Sequence, residues 1–229
     1  MKISRIMNAC AGLLFLLAVL LTSIEICSFS RSFFIHEYEK GKQAELIGMS
    51  DEDLMKATDT LLDYLKDRRD DIVCEATIAG TVREVYDERE TLHMIDVKTL
   101  YQNAMKARSI FFAASVILLI FGWQKSRLDA LKEAYQYGLM MLSVLVIFCL
   151  AYALIDFNAF WFQFHYVFFD NDLFILDPNV SIMINMFTET LFFDLVIRII
   201  ILFSVSVAVM GAALFFAERY LKHAERSPV

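Results

Sequence analysis

Four long apolar stretches alternate with more polar segments along the chain, and this pattern sets the expected topology. The apolar stretches cover residues 6–29, 110–123, 138–155 and 191–217. A helix of about 20 apolar residues crosses the roughly 30 Å hydrocarbon core of a bilayer. The second stretch is short, but a helical approach beginning at Asp96 would lengthen it. The pattern therefore predicts four transmembrane helices.

Positively charged residues indicate how these helices are oriented, because cytoplasmic loops carry an excess of lysine and arginine. Such residues precede the first helix, occur in the link 124–137 and follow the fourth helix. They are Lys2, Arg5, Lys125, Arg127, Lys132, Arg219, Lys222 and Arg226. With four spans, these segments share one side of the membrane. We therefore expect the N-terminus and the tail 218–229 in the cytoplasm, and residues 30–109 and 156–190 outside it.

The segment 30–109 has the pattern of a small folded domain. Ser50 can cap a helix whose leucines recur at helical spacing. Residues 73–85 are rich in β-branched side chains and predict one or two strands around Gly80. Asp96 would cap a last helix that leads into the membrane. The predicted fold is a mainly α membrane protein, with a four-transmembrane-helix bundle and a small α+β extracytoplasmic domain between the first two helices.

Composition agrees with a membrane protein and excludes several functions. The chain is 58% hydrophobic and has a mean hydropathy of +0.53, whereas a soluble domain is roughly 45–50% apolar. The formal net charge is −7, so nucleic acid is not expected as a partner, since its binding needs a basic surface. The cysteines and histidines show no zinc-site spacing. Signatures of serine hydrolases, zinc proteases and phosphate loops are also missing from the sequence, and neither metal nor cofactor is expected.

Two histidines are the first candidates for chemistry. His165 lies among eight aromatic residues between positions 157 and 169. Apolar surroundings favour the neutral imidazole, which can act as a base near pH 7. His93 is followed three residues later by Asp96, which could orient its ring, although this role weakens if Asp96 caps a helix. Each histidine could also be a hydrogen-bonded structural residue.

Several other polar residues have structural interpretations beside functional ones. Glu25 lies in the outer half of the first helix, without an obvious partner there. Asp194 and Arg198 are four residues apart on the fourth helix and can form an internal pair. The acidic segment 170–172 resembles the start of a calcium loop but lacks the rest of that motif, so a turn is expected. Asp177 begins a second turn signal.

Three stretches of sequence make the chain resemble a known family, the lipoprotein intramolecular transacylases of low-GC Gram-positive bacteria. They are residues 36–40 with 48–54, residues 92–98, and residues 164–169 followed by 172–178. The third stretch is the most specific of the three. Their order and the four-helix layout extend the resemblance over nearly the whole chain.

The resemblance implies a membrane acyltransferase that acts on diacylglyceryl-modified lipoproteins. Such an enzyme moves the sn-2 acyl chain onto the α-amine of the lipoprotein's own N-terminal cysteine and gives the lyso-form. His93 and His165 would be the catalytic residues, at the extracytoplasmic face of the cell membrane. Lipoproteins and membrane lipid would be the partners. Four further residues are supporting candidates for the site: Asp96, Glu25, Tyr166 and Asp177.

A non-enzymatic membrane protein is the alternative, either an envelope sensor, an assembly factor or a transporter subunit. Transport is disfavoured because polar residues are sparse in the middle of the predicted helices and because the sequence shows no internal repeats. A sensor would tolerate replacement of His93 and His165 without loss of lipid chemistry, whereas the enzyme would not.

Overall fold

The computed structural model describes residues 2–122 and 127–226, which are mostly helical. These residues form nine helices and two strands, in the order α1 (Lys2–Ser28), α2 (Arg31–Gly41), α3 (Gln43–Ile47), α4 (Asp51–Leu65), β1 (Glu75–Ile78), β2 (Thr81–Glu84), α5 (Glu88–Gly122), α6 (Arg127–Ile155), α7 (Phe157–Phe168), α8 (Ile182–Met186) and α9 (Glu189–Arg226). As the hydrophobic pattern predicted, four helices are long and apolar enough to cross a membrane, namely α1, α5, α6 and α9. The predicted end of the second span at Trp123 and the charge at Lys125 lie outside the described residues.

Helix α5 begins earlier than expected. Its first residue is Glu88, so Asp96 lies inside the helix, and the prediction that Asp96 caps it is wrong. Asp87 precedes the helix instead. Its Oδ1 accepts a hydrogen bond from the N–H of Glu90 at 2.8 Å, while Glu90 Oε2 accepts one from the N–H of Asp87 at 2.7 Å. This reciprocal capping box satisfies N–H groups that a helix start leaves unpaired. His93 therefore lies in the second turn of a long helix.

The chain divides into two compact units, each made of separate stretches of sequence. Unit 1 contains the described parts of residues 1–25, 105–151 and 197–229. Unit 2 contains residues 26–104 and 152–196. Both candidate histidines belong to unit 2.

Unit 1 has a small apolar core between its helices. Helices α1, α6 and α9 contribute its buried members, which are Leu16, Leu142, Phe203 and Val207. The close approach of α1 to α6 depends on Gly12, because a Cβ at this position would lie 1.8 Å from the backbone oxygen of Ala134. Small residues allow this approach, and van der Waals packing then holds helices together in a bilayer.

Unit 1 also contains a partner for Glu25. The carboxylate of Glu25 on α1 forms an ion pair with Arg108 on α5. The two side chains are only 26% and 29% exposed. Placing a charged side chain inside a membrane costs much less free energy when an opposite charge is paired with it. This pairing accounts for a charge that had no obvious partner within its own helix.

The capped helix and the strands predicted for unit 2 are both confirmed. Ser50 caps α4 by accepting a backbone hydrogen bond on its hydroxyl oxygen. Strands β1 and β2 pair antiparallel, with Ile78 opposite Thr81. Between them, Ala79 has φ 50° and Gly80 has φ +82°. Two consecutive residues with positive φ are what a tight type I′ hairpin turn requires.

Buried tyrosine hydroxyls connect α4 to its neighbours in unit 2. The Tyr38 hydroxyl donates to Thr58 Oγ1 at 2.9 Å, since Thr58 itself donates to the Leu54 carbonyl. The Tyr86 hydroxyl donates to the carbonyl of Ala57, also at 2.9 Å. Burial raises the pKa of both phenols above the ordinary value, so both stay neutral. These bonds hold α2 and the approach to α5 against the same helix.

The segment 156–190, for which an aromatic loop was expected, contains two helices. It contains α7 and α8, and Asp156 caps α7 by accepting from the N–H of Ala159 at 2.9 Å. One row of aromatic residues recurs every three or four positions, the spacing of one helix face. This row consists of Phe157, Trp161, Phe164 and Phe168. The sequence interpretation considered the aromatic content of the segment but not its period.

Candidate active site

His93 and His165 lie next to each other in unit 2. The first is in the second turn of α5 and the second is in the last turn of α7. Their ring centroids are 5.9 Å apart and the ring planes are inclined by 34°. Both side chains are buried, with 7% and 8% of their surface exposed. The two residues singled out in the sequence are thus brought together by the fold.

Aromatic rings surround the imidazole pair. Phe174 stacks on His165 with a centroid distance of 4.7 Å. Trp161 meets the same imidazole edge to face at 4.9 Å, and Phe169 meets His93 in the same way at 5.3 Å. Burial among these rings lowers the pKa of His165 below its ordinary value, although the hydrogen bond that the ring donates to the Trp161 carbonyl acts in the opposite direction. The ring of His165 is therefore neutral near pH 7.

Hydrogen bonding settles which nitrogen of His165 can act as a base. Its Nδ1 lies 2.7 Å from the carbonyl oxygen of Trp161. A carbonyl only accepts hydrogen bonds, so Nδ1 carries the proton in the neutral ring and Nε2 carries the free lone pair. The ring is held by a backbone group of its own helix, which fixes this orientation.

The other imidazole has an unusual environment. Nδ1 of His93 is buried, and it has no hydrogen-bond partner within the part of the chain that is described. Buried polar atoms in folded proteins are nearly always paired, so each exception calls for an explanation.

Asp96 has a different role from the one suggested by its spacing. Its Oδ2 accepts a hydrogen bond from Asn171 Nδ2 at 2.9 Å, and it does not bond to the unpaired Nδ1 of His93. Asn171 Oδ1 in turn accepts from the N–H of Leu173 at 3.0 Å. Segment 170–172 is thus the expected turn, and Asp96 connects it to α5.

The remaining sequence candidates lie around the pair or elsewhere. Tyr166 is 57% exposed, and its ring meets Phe174 edge to face at 5.2 Å. Asp177 forms the predicted turn, since its Oδ1 accepts from both nitrogens of Asn179, at 2.9 Å and 2.8 Å. Glu25 belongs to unit 1, whereas the histidines belong to unit 2.

Sequence reasoning missed two residues on α5. Glu90 is a carboxylate that is only 1% exposed. Its Oε1 accepts from the Ser181 hydroxyl at 2.5 Å and from the N–H of Met183 at 2.9 Å. Asp87 followed three residues later by Glu90 is a capping-box pattern, so a signal for this residue was present in the sequence.

Arg89 is the second missed residue. Its guanidinium donates to the carbonyl of Asp172 and, at 3.2 Å, to the carbonyl of Ile175. These carbonyls flank Phe174, the ring that stacks on His165. Because a guanidinium offers several donors in a fixed fork, Arg89 holds this stretch against α5 at two points.

Another ion pair in unit 2 joins segments far apart in sequence. Lys40 on α2 pairs with Asp194 on α9, and it also contacts Glu37 at 3.2 Å. Hydrogen bonds to these two carboxylates raise the pKa of Lys40. The sequence had suggested Arg198 as a partner for Asp194. The contact with Lys40 could not be predicted from helical spacing, because the two residues lie on different helices.

A family model decides which group of proteins this chain is part of. The model described as lipoprotein intramolecular transacylase Lit matches residues 9–193. The chain belongs to this family. It is therefore an acyltransferase of the membrane, and the non-enzymatic alternative is set aside. A comparison with curated proteins gave no match.

Solved structures share the fold of this chain. Three structures of the membrane-integral lipoprotein intramolecular transacylase Lit from Bacillus cereus match 98% of this chain. One has a TM-score of 0.73 at 18% identity over 98% of its own chain. The others, a histidine-to-alanine and a histidine-to-arginine variant, have TM-scores of 0.77 at 16% identity over 96% and 94% of their chains. The transacylase described here is thus a multi-pass membrane protein that shares their fold.

Proposed function

We propose that this transacylase moves the sn-2 acyl chain of a diacylglyceryl-modified lipoprotein onto the α-amine of the lipoprotein's N-terminal cysteine. His93 and His165 share the proton transfers of this reaction. The observation that carries the proposal is the pair of buried imidazoles with centroids 5.9 Å apart in an aromatic enclosure. The product is a lyso-form lipoprotein, N-acylated and S-monoacylated.

The reaction requires a base that frees the lone pair of the amine, and it does not require a nucleophile from the protein. An α-amine has a pKa of about 7.7–8.0, so much of it is protonated at neutral pH. Its lone pair attacks the carbonyl carbon of the sn-2 ester. The ammonium form first releases one proton to solvent, and the neutral amine is the form that attacks. As the C–N bond forms and the bond from the acyl carbon to the glyceryl oxygen breaks, nitrogen loses a second proton, which is returned to that oxygen. Atoms and charge balance with the histidines as carriers only.

The hydrogen bonds of His93 and His165 suggest a different role for each histidine in this proposal. Because the Trp161 carbonyl holds the proton on Nδ1 of His165, Nε2 of this ring can accept the proton from the amine. His93 has a buried nitrogen that is not bonded by any of the described residues, and this nitrogen is suited to contact a polar group of the substrate as charge develops. The imidazolium formed then protonates the leaving glyceryl oxygen.

Intramolecular attack explains how two histidines can be sufficient. When the amine and the ester belong to one molecule and are held in a reactive geometry, the advantage in free energy reaches roughly 7–11 kcal/mol. An acyl-enzyme on a serine or cysteine is then unnecessary. The contribution of the protein is to hold the two groups together and to move one proton.

The aromatic face of α7 supports a site for acyl chains. Trp161 stacks on Phe192 of α9 with a centroid distance of 4.2 Å, and on Phe164 at 5.4 Å. Phe157 meets Phe193 edge to face, also at 5.4 Å. Aromatic side chains offer large apolar surfaces at a membrane interface. We assign this cluster to the acyl chain that is transferred.

The site faces outward in this proposal. The lysine and arginine pattern assigns the N-terminus and the tail 218–229 to the cytoplasm, and residues 30–109 and 156–190 to the outer side. His93 and His165 then lie at the extracytoplasmic face, where diacylglyceryl lipoproteins are exposed.

Expression in a bacterial host that lacks this activity tests the proposal. Mass spectrometry of lipoprotein N-terminal peptides should show an N-acyl, S-monoacylglyceryl cysteine with the wild-type chain and only the diacylglyceryl form with the empty vector. Unchanged lipoproteins in a host that expresses folded protein would contradict the proposed reaction.

A further inference from the structure

Glu90 is a buried carboxylate that the proposed chemistry does not use. Only 1% of its surface is exposed, and it precedes His93 by three residues on α5, so both lie on the same side of the helix. A carboxylate is stable in such a place only when hydrogen bonds replace the water it has lost. The partners of Glu90 therefore identify the segments that it holds in place.

Each oxygen of this carboxylate holds a different part of the chain. Oε2 accepts from the N–H of Asp87 at 2.7 Å, which fixes the start of α5. Oε1 accepts from the Ser181 hydroxyl at 2.5 Å and from the N–H of Met183 at 2.9 Å. Ser181 Oγ itself accepts from the N–H of Ile184 at 3.1 Å, so its own hydrogen is directed to Glu90. Three donors thus satisfy the two oxygens of this buried carboxyl group.

The segment held by Glu90 continues from the rings that enclose the histidines. Phe169 and Phe174, which contact the two imidazoles, lie upstream of Ser181 in the same connection between α7 and α8. Arg89 holds the middle of this connection through two carbonyls. Glu90 holds its end, at the first turn of α8. The connection is thereby fixed to the same helix that carries His93.

We propose that Glu90 is a positioning residue of the transacylase. By joining the first turn of α5 to the first turn of α8, its carboxylate sets the place of His93 relative to His165 and to the rings around them. The inference rests on the proposed function of the two histidines. Glu90 itself touches neither imidazole in this role and acts through the backbone. Displacement of a catalytic group by about 1 Å can lower a rate roughly 100-fold.

Three substitutions separate this role from a general contribution to folding. Glu90→Gln keeps the size but replaces one acceptor oxygen by an NH₂ donor, which then faces either the N–H of Asp87 or the donors at Ser181 and Met183. Ser181→Ala removes one hydrogen bond between the two turns. Asp87→Ala is the matched control, since its side chain caps the same helix through the N–H of Glu90 but leaves the connection to α8 in place.

The experiment measures kcat, KM and the thermal midpoint of the purified full-length proteins in detergent, with a synthetic diacylglyceryl lipopeptide as substrate. We expect Glu90→Gln to lower kcat about 10- to 100-fold with KM within about twofold, because transition-state geometry is disturbed and ground-state binding is kept. Ser181→Ala should lower kcat about 3- to 10-fold, since one of three hydrogen bonds is lost. Asp87→Ala should keep kcat within about threefold even though loss of the cap lowers its thermal midpoint.

Near-native kcat in folded Glu90→Gln, or an equal loss of kcat in Asp87→Ala, would overturn the proposal. If Glu90→Gln does not fold, the comparison of Ser181→Ala with Asp87→Ala decides by the same criterion. A His93→Ala variant measured in the same series separates the two levels of inference. Retained activity in His93→Ala overturns the proposed function together with the role of Glu90. Loss of activity in His93→Ala beside an active Glu90→Gln overturns the role of Glu90 alone.

Discussion

The two imidazoles at the proposed site differ in their hydrogen bonding, and we propose that this difference gives them different roles. His165 is anchored by the carbonyl of Trp161 and has one defined tautomer. His93 has a buried nitrogen that the described residues leave unpaired. His165 is thus a base of fixed orientation, and beside it His93 has a ring nitrogen that can bond to a substrate. This arrangement is suited to a reaction in which a proton moves between two atoms of one substrate.

Alanine substitution at either histidine should remove most of the activity. We expect His93→Ala and His165→Ala each to lower the rate about 10²- to 10⁴-fold, the usual contribution of acid–base catalysis. The double variant should be little worse than either single variant, because residues that act as a unit are not additive. The exposed His223 provides a control, and His223→Ala should keep its activity. Lyso-form product and size-exclusion profiles measure these outcomes, and near-native activity in a single variant would exclude a shared mechanism.

As the pH falls, kcat/KM should respond first to protonation of the substrate amine and only at lower pH to protonation of His165. Desolvation lowers the pKa of His165 below its ordinary value of about 6.5, so the neutral base persists as the pH falls through this value. The logarithm of kcat/KM should therefore fall with a slope of about one below pH 8, as the amine becomes protonated, and steepen only below about pH 6.5. A slope of about two already at pH 7 would show that His165 is protonated too early for this role.

Helices α5 and α7 each bring one imidazole to the site, and each begins at an aspartate. Asp87 and Asp156 each cap the first turn of their helix by accepting a backbone hydrogen bond. Both aspartates are visible in the sequence, but the later Asp96 was predicted as the cap of the helix that runs into the membrane. Local patterns thus predicted a helix in the region of α5 but a loop in the region of α7. The first turn of α5 also depends on packing against α8 through Glu90.

The contact between α1 and α6 makes a prediction for the packing of unit 1. A side chain at Gly12 would overlap the backbone oxygen of Ala134, which cannot move aside as a side chain can. Gly12→Leu should therefore destabilise the protein by about 3 kcal/mol, the upper range for overpacking. Cys10 is exposed on the same helix, and Cys10→Leu is the matched control. Thermal midpoints in detergent should fall for Gly12→Leu only, and an equal effect of both would refute the close approach.

The molecule as a whole is made of two units whose stretches of sequence are interleaved. The number of long apolar helices could be predicted from hydrophobic stretches, because length and apolar content are local properties. Ion pairs such as Lys40–Asp194 and Glu25–Arg108 could not, because they depend on which helices become neighbours. The two histidines were predicted as a pair from the family resemblance, and only the fold gives their separation.

The proposed orientation of the whole chain in the membrane can be tested with reporter fusions. Lysine and arginine residues near the N-terminus, in the link after α5 and in the C-terminal tail should keep these segments in the cytoplasm. Reporter fusions after residues 60 and 175 should then report the outer side, and a fusion after residue 130 the cytoplasm. A cytoplasmic signal at residue 60 would reverse the proposed location of the site.

The central claim, that an acyl chain moves within a single lipoprotein, is tested most directly with mixed isotopic substrates. One lipopeptide carries heavy isotopes in both its peptide and its sn-2 acyl chain, and the other is unlabelled. Purified enzyme acts on an equal mixture, and mass spectrometry analyses the products. The account predicts that heavy peptides carry only heavy N-acyl chains and light peptides only light ones, with the sn-1 chain left on the glyceryl group. Products that combine a heavy chain with a light peptide would contradict it.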